Sequence, residues 1–404
     1  MSETAVIAAA QSVRPIVLLS AAAFASAATM RVADPLLPQV AAEFGTTAGA
    51  ASVVATGFAL SYGLFQVIYG PLGDRFGKYR IIALATFLSA LTATTSAFAG
   101  SLGMLGALRF LSGCTAAAII PLAMAHIGDV VPYERRQPVL ARFLSGQILG
   151  VVGGQVFGGV LGEFMGWRGI FVALGAIYLA IAALLGNELR SVRMAPQPAA
   201  QGGGVRFRNL PAQFASLLRV RRVQTVLATV FVEGFLFFGG FAYFGAYFRH
   251  EFGISYVTVG GLLACFGIGG LLYAAAVKPI VARLGERGMV LAGGLLLAAS
   301  FVTVAQAPVW AAALPVVAAG AGFYLMHNTL QTNATQMAPH ARGLAVSMFA
   351  SLYFLGQAAG VALCGQAIDA VGYRAVFPLA GLALCALALA FRTTLPEREQ
   401  RRTA

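Results

Sequence analysis

The sequence predicts an all-α integral membrane protein with twelve transmembrane helices in two six-helix, pseudo-symmetric bundles. Three observations lead to this prediction. Of the 404 residues, 59% are hydrophobic and only 10% are charged, whereas soluble domains carry about 25% charged residues. The apolar residues fall into about twelve runs, each as long as a membrane-crossing helix. The first and second halves of the chain also resemble one another in sequence.

Each apolar run has roughly 18–25 residues, enough for a helix to cross about 30 Å of hydrocarbon. A long polar segment follows the sixth run, so the predicted units are a first bundle (1–186), a linker (187–223) and a second bundle with a short tail (224–404). The predicted spans are 15–38, 48–71, 81–99, 103–125, 138–161, 168–186, 224–248, 257–277, 289–306, 310–333, 343–366 and 375–392.

The linker combines two kinds of sequence. Its first part contains prolines and the glycines 202–204, a composition typical of flexible linkers. Its second part places apolar residues at helical spacing between arginines, at Phe207, Leu210, Phe214, Leu217 and Leu218. The alternatives for this second part are an amphipathic helix at the membrane interface and a plain disordered linker.

Lysine and arginine are distributed unequally between the two sides of the predicted bundle. Of the 27 basic residues, only Arg31, Arg109, Arg168, Arg249 and Arg374 fall on the side opposite the chain termini. The positive-inside rule therefore predicts a cell (inner) membrane protein with both termini in the cytoplasm. The net charge of +13 then reflects topology and attraction to lipid headgroups, and we expect no nucleic-acid partner.

The repeat within the chain aligns residues on the two sides of the linker. The matched positions include acidic, basic and glycine residues, and not only apolar ones. Glu43-Phe44-Gly45 matches Glu251-Phe252-Gly253, Gly77 matches Gly285, Gly159 matches Gly365, Glu163 matches Asp369, Gly166 matches Gly372, and Arg168 matches Arg374. A parallel repeat of six spans is typical of secondary transporters, whose binding site lies between the halves near mid-membrane depth.

The segment Gly70–Arg80 places four formal charges between two apolar runs, so it must lie in water at a membrane face. Its glycines Gly70, Gly73 and Gly77 favour a tight turn. The segment resembles the signature of the major facilitator superfamily between spans two and three. The resemblance covers nearly the whole chain and implies the twelve-helix fold of that family.

The resemblance also implies a gate on the cytoplasmic side. Asp74 would accept hydrogen bonds from the start of span eleven near Gly343, and Arg75, Lys78 or Arg80 would pair with Asp129. The alternative is that the basic residues only set the topology and that Asp74 is solvated. The repeat places Ala282 where the first half has Asp74, so an acidic latch is expected only in the first half.

Two further motifs resemble those of the drug:proton antiporter branch of the family. Arg109–Gly113 resembles the span-four motif with a buried arginine, and the glycine-rich segment Gly150–Gly159 resembles the span-five motif of proton-coupled exporters. Gln155 replaces the proline that is usual in the second motif. The same glycines are also explained by close helix packing alone.

Charges inside a membrane span are costly and often mark function. The candidates for proton coupling are Asp34, Glu233 and His327. Asp34 has two possible partners, Arg31 three residues earlier or Arg109 on another helix. For Glu233 the alternative is a neutral structural carboxyl, and for His327 it is an interhelical hydrogen bond.

Polar and aromatic residues within the spans are candidates for a substrate cavity. They are Arg109, Gln66, Gln147, Gln155, Phe235, Phe238, Tyr243, Asn328, Gln331 and Gln357. For the polar side chains the alternative is bonding between helices, and for the aromatic ones it is packing. Arg109 has the further alternative of extending toward the outer membrane face.

The preferred functional prediction is a proton-coupled exporter of small organic, drug-like or metabolite compounds that works by alternating access. It would act as a monomer in the lipid bilayer, with protons as the coupling ion and no other cofactor. The alternative is a metabolite importer, either a proton symporter or a facilitator. An enzyme is not favoured, because the sequence shows no metal-ligand cluster, nucleophile elbow or nucleotide loop. A receptor would need an added signalling domain.

Overall fold

The structure is a computed structural model that describes residues 13–191 and 210–395. These residues form helices joined by short turns. Nine segments within them are long and apolar enough to cross a membrane. Two of these segments each contain two helices, separated at Gly166 and at Gly285. Together with the helix Lys78–Ser96, they give the twelve membrane helices α1–α12.

The first half contains α1–α6. Helix α1 comprises the helix Val13–Arg31, a 3-10 turn at Asp34–Leu36 and the helix Leu37–Glu43. Helix α2 comprises Ala48–Ala51 and Val53–Phe76, α3 is Lys78–Ser96, and α4 comprises Leu102–Ala116 and Ile119–Val130. The segment Tyr133–Ser191 contains α5 before Gly166 and α6 after it.

The second half contains α7–α12. Helix α7 comprises Arg221–Phe241 and Phe244–Phe252, and the segment Tyr256–Val304 contains α8 before Gly285 and α9 after it. Helix α10 is Ala313–Gln336 with a preceding 3-10 turn at Val309–Ala311, α11 is Arg342–Val371 after a 3-10 turn at Pro339–Ala341, and α12 is Tyr373–Thr394.

A short helix, Leu210–Leu218, forms in the second part of the predicted linker. Leu217 is buried and Phe214 packs beside it against the core of the second half. A helix therefore occurs where helical spacing predicted one, and its position at the membrane interface stays a prediction. Phe207 and the first part of the linker lie outside the described residues.

The backbone shows the internal repeat directly. Positive φ angles occur in the described residues only at glycines, and these glycines form three pairs that the repeat relates. The pairs are Gly45 (φ 61°) and Gly253 (φ 61°), Gly77 (φ 90°) and Gly285 (φ 60°), and Gly166 (φ 67°) and Gly372 (φ 83°). Only glycine adopts this conformation without strain, so equivalent turns in the two halves require the same residue.

The two ends of the bundle differ in charge and in packing. We call the end with Asp74–Arg80 the basic face and the end with Gly45 and Gly253 the opposite face. Each half has its own hydrophobic core. The halves meet where α2 packs on α11 and where α8 packs on α5.

Helices α2 and α11 pack closely at the opposite face and separate toward the basic face. Near the opposite face, a Cβ atom added to Gly365 would lie 2.9 Å from the Cα of Gly49, and in the middle one added to Gly63 would lie 2.9 Å from a carbonyl oxygen of α11. Cβ atoms added to Gly70 and Gly343, at the basic ends of the same helices, would have no neighbour within 4 Å. The bundle is therefore closed at the opposite face in this conformation.

Candidate functional site

A buried ion pair lies where α1 is interrupted. The helix Val13–Arg31 ends just before Asp34, and Pro35 follows in the 3-10 turn, where its missing N–H and fixed φ break the regular helix. Arg31 Nη1 lies 3.7 Å from Asp34 Oδ2. The two side chains are 6% and 2% exposed, respectively. Of the two partners considered for Asp34 from the sequence, the structure brings Arg31 to it.

Two glutamines complete this group, which we call the central cluster: Arg31, Asp34, Gln155 and Gln357. Gln155 of α5 donates to Asp34 Oδ2 at 3.2 Å, and Arg31 donates to Oε1 of Gln357 on α11 at 3.2 Å. The Arg31 guanidinium also lies 3.9 Å from the ring centroid of Phe238 on α7, a favourable cation–π geometry. The central cluster therefore links the first half to the second.

A second polar pair lies within the second half. Glu233 of α7 is fully buried, and its Oε2 lies 2.8 Å from Nδ1 of His327 on α10. Its other oxygen, Oε1, has no hydrogen-bond partner among the described residues. The His327 ring stacks on the Phe323 ring with their centroids 4.9 Å apart, and its centroid lies 4.7 Å from that of the Tyr353 ring. Two of the three predicted proton-coupling candidates thus form one interhelical unit.

Aromatic rings lie between the central cluster and the Glu233–His327 pair. Phe238, which carries the Arg31 guanidinium on its face, contacts Tyr353 edge-to-face at 5.7 Å. Tyr353 in turn contacts His327. A chain of direct contacts therefore runs from the first-half arginine to the second-half carboxyl pair.

Arg109 is buried, as its resemblance to the span-four motif implies, but it does not pair with Asp34. It is fully buried, so it does not extend to the membrane face, and its partners are backbone carbonyls and not Asp34. It donates from Nε to the carbonyl of Val54 at 3.1 Å and from Nη2 to that of Thr29 at 2.9 Å. Thr29 lies in the last turn before the break in α1, where carbonyls lack partners within the helix. The third guanidinium nitrogen of Arg109, Nη1, has no hydrogen-bond partner in the described part of the chain.

The other cavity candidates have varied positions. Tyr243 is fully buried and donates to the carbonyl of Val361 at 2.7 Å, so it bonds two helices of the second half. Phe235 is half-buried and its backbone packs against Gly360. Gln331 is exposed. Half-buried positions are found for Gln66, whose Oε1 has no partner among the described residues, and for Gln147 and Asn328.

The predicted gate residues meet at the basic face. Lys78 Nζ lies 2.9 Å from Asp74 Oδ1 and 2.7 Å from Asp129 Oδ2, so Lys78 is the basic residue that pairs with Asp129. Burial alone would lower the pKa of Lys78, but the hydrogen bonds to both carboxylates raise it above 10.5 overall. Arg75 and Arg80 are exposed.

The predicted contact between Asp74 and the start of α11 is absent from this conformation. Asp74 pairs with Lys78, and a Cβ atom added to Gly343 would have no neighbour within 4 Å. The physical reason is the separation of α2 and α11 at the basic face. The contact requires a conformation in which that face is closed, so the latch stays a prediction for that conformation.

Two aspects of the site were not predicted from the sequence. Tyr353 was not singled out, although it lies one helical turn before Gln357 on α11 and contacts His327. Arg31 and Arg109 were assigned to the outer side, but both are buried. Without them, Arg168, Arg249 and Arg374 are the basic residues on the opposite face, which makes the predicted charge asymmetry stronger.

Comparisons with known proteins agree with this architecture. A family model described as Major Facilitator Superfamily matches residues 19–361 and 247–404. The chain belongs to the major facilitator superfamily. It is therefore a multi-pass membrane transporter, and the all-α fold predicted from the sequence is confirmed.

Among curated relatives, the chain is 29% identical over 395 residues to a probable transporter of Streptomyces coelicolor, covering 93% of this chain and 85% of that protein. It is 26% identical over 352 residues to a chloramphenicol resistance protein of Streptomyces lividans, and the match covers 86% of this chain and 87% of that protein. Over 130 residues it is 32% identical to a bicyclomycin resistance protein homolog of Haemophilus influenzae, and this match covers 32% of this chain and 33% of that protein.

Solved structures share the fold. The nucleoside transporter NupG matches with a TM-score of 0.74 at 12% identity, covering 95% of this chain and all of that one. A bacterial homolog of the human lysosomal transporter Spinster, in an inward-facing and occupied conformation, matches with a TM-score of 0.73 at 18% identity, covering 94% and 95%. At these identities the likeness shows the fold alone.

Proposed function

We propose that this transporter is a proton-coupled exporter of small organic compounds that works by alternating access. The observation that carries the proposal is the fully buried Glu233, which lies 2.8 Å from His327 and has one oxygen without a partner among the described residues. An ionised carboxylate in such surroundings is costly, and a protonated one is not. Binding and release of a proton at this carboxyl therefore change the local energy strongly.

The central cluster supplies the connection between proton binding and movement of the halves. While Asp34 is ionised, it holds Arg31 and accepts a hydrogen bond from Gln155. A proton on Asp34 removes the attraction to Arg31, whose hydrogen bond to Gln357 reaches the other half. Protonation thus shifts the balance between contacts within the first half and contacts across the halves, which is how a ligand shifts a conformational equilibrium.

The relatives support export of drug-like compounds. Two of the curated relatives are named as a chloramphenicol resistance protein and a bicyclomycin resistance protein homolog. A transporter confers resistance by lowering the concentration of the drug in the cell, and both names are for that reason compatible with export. We accordingly place the protein in the cell inner membrane with both termini in the cytoplasm. There the bundles 1–186 and 224–404 move as two bodies of a monomer.

Reconstitution into liposomes tests the proposal. The transported probe is the compound that most raises the melting temperature of the purified protein, from a panel of chloramphenicol, other neutral antibiotics and nucleosides. An acidic lumen should drive accumulation of the probe, because protons leave as the compound enters. An acidic exterior driving accumulation would instead indicate symport, and flux that ignores the gradient would indicate a facilitator.

Variants separate the coupling carboxyls from other acidic residues. Glu233→Gln and Asp34→Asn should each abolish the response to the pH gradient. Glu251→Gln is the matched control, because Glu251 lies on the same helix but pairs with Arg374 at the protein surface. Full gradient-driven accumulation by the first two variants would contradict the proposed coupling.

A further inference from the structure

The opposite face holds a hydrogen bond between the two halves at α5 and α8. Glu163 lies near the end of α5, in the first half. Its Oε2 accepts the backbone N–H of Tyr256, the first residue of α8 in the second half, at 2.6 Å. Beside this contact the helices nearly touch, and a Cβ atom added to Gly260 would lie 2.9 Å from the Cα of Gly159.

An equivalent contact between the halves occurs at α11 and α2. Asp369 lies near the end of α11, in the second half. Its Oδ2 accepts the hydroxyl of Thr47 at 2.6 Å and its Oδ1 accepts the backbone N–H of Gly49 at 3.3 Å, both at the start of α2 in the first half. Gly49 and Gly365 make the accompanying close approach of the two helices.

The internal repeat relates these two contacts. Glu163 and Asp369 occupy matching positions, and so do Gly159 and Gly365. In both places a carboxylate at the end of a glycine-rich helix of one half bonds to the start of a helix in the other half. Because each half contributes one carboxylate and one helix start, the two contacts are related by the pseudo-two-fold axis between the halves.

Two other acidic residues on this face bond within their own halves. Glu43 pairs with Arg168 at 2.6 Å in the first half, and Glu251 pairs with Arg374 in the second. These pairs are also related by the repeat, but they do not cross from one half to the other. The opposite face therefore carries one set of acidic contacts that holds each half together and another that holds the halves to each other.

We propose that Glu163 and Asp369 are a matched pair of latches that keep the opposite face closed and that must release for this face to open. Both carboxylates belong to exposed residues, so each one returns to water when its hydrogen bonds break. A buried carboxylate would lose its partners without gaining solvent. The close helix packing at the glycines therefore places these hydrogen bonds in one defined geometry when the face is closed. Because the carboxylates are exposed, the same bonds can break and re-form as the face opens and closes.

A distance measurement tests this proposal without any substrate, so its failure is distinguishable from failure of the proposed proton coupling. Spin labels are attached at Gly100→Cys and Trp310→Cys, on exposed positions of the opposite face in different halves. The four native cysteines are first replaced by serine. Double electron–electron resonance then reports the distance between the halves.

We expect Glu163→Ala and Asp369→Ala each to raise the long-distance population several-fold, and the double variant to raise it further. Glu43→Ala and Glu251→Ala are the matched controls and should leave the distribution unchanged. If the latch variants keep the parental distribution, or if the controls shift it equally, the proposal is wrong. Should the alanine variants fold poorly, Glu163→Gln and Asp369→Asn keep the side-chain size and should shift the distribution in the same direction but by less, because an amide oxygen is a weaker acceptor than a carboxylate.

Cross-linking gives a second measurement. Thr47→Cys together with Asp369→Cys should form a disulfide in the serine background, since the two side chains are in contact. The oxidised protein should keep the short distance and lose transport, and a reducing agent should restore transport. Equal transport by the oxidised and reduced forms would show that this face opens without release of the contact.

Discussion

Arg31 donates a hydrogen bond of 3.2 Å to Gln357, and this bond joins the two halves in the middle of the bundle. Arg31 also pairs with Asp34 in its own half. Any movement of one half against the other must change the Arg31–Gln357 hydrogen bond, whereas it can leave the Arg31–Asp34 ion pair intact. Arg31 is therefore the residue through which the charge state of Asp34 reaches the second half.

Removal of the Gln357 acceptor should slow transport. We expect Gln357→Leu to lower the maximal rate about tenfold, an increase of about 1.4 kcal/mol in the barrier, because Arg31 then loses its contact across the halves. Gln336→Leu is the control, since Gln336 is exposed at the end of α10. Initial rates in liposomes measure the effect, and equal rates for the two variants would exclude a role for the Arg31–Gln357 bond.

The Glu233–His327 pair should behave as a coupled unit in stability. His327→Leu leaves a buried carboxyl without its partner and should cost about 1–3 kcal/mol of unfolding free energy. Replacement of both residues by leucine should recover much of this loss, because two apolar side chains need no hydrogen bonds. Melting temperatures in detergent measure stability, and transport assays should find both variants inactive. A double variant less stable than the single one would contradict this account.

Lys78 should stabilise the basic face at a level that does not vary near neutral pH. Its folded pKa is raised above 10.5 by the two carboxylates, so its contribution is complete below that value and is lost only as the pH rises through the raised pKa. Lys78→Met should cost no more than about 1 kcal/mol, as for other partly exposed ion pairs.

The same reasoning fixes the pH dependence of transport by this variant. Between about pH 6 and pH 8 the Lys78→Met protein should have a transport profile of unchanged shape, because the titrating groups in this range lie elsewhere. Lys278→Met, at an exposed position of the second half, is the control. A profile shifted only in the Lys78 variant would show that this bridge takes part in proton coupling.

The α1–α5 contact should not tolerate side chains at its glycines. A Cβ atom added to Gly154 would lie 2.5 Å from the carbonyl oxygen of Ala28, so Gly154→Val should lower expression and reduce the melting temperature by several degrees. Gly103→Ala is the comparison, because its Cβ would enter open space in a helix and alanine favours helix. A Gly154 variant as stable as the Gly103 variant would contradict the described packing.

Much of the fold follows from the sequence because it depends on local signals. The lengths of the apolar runs predict the helices, and repeat-related glycines such as Gly77 and Gly285 mark turns that only glycine makes without strain. The ion pair at the basic face was predicted as far as Asp129 and one of three basic residues. The choice of Lys78 depends on the rotation of α3 relative to α4, for which the sequence holds no local signal.

The site was predicted less completely because its contacts join distant parts of the chain. Glu233 and His327 were both candidates, but nothing in the sequence pairs residues 94 positions apart. Arg109 was one of two partners considered for Asp34, whereas the break in α1 frees the carbonyl of Thr29 to accept its hydrogen bond. Such acceptors arise from backbone geometry and cannot be identified from residue types.

Proton release on substrate binding is a direct test of the proposed proton coupling. Purified protein in weakly buffered detergent solution, with a pH-indicator dye, is mixed with the compound that the melting-temperature screen selects. An exporter of the proposed kind should release protons when the compound binds, and Glu233→Gln should reduce this release while Glu251→Gln leaves it unchanged. Proton uptake, or binding without any change in proton occupancy, would contradict the account.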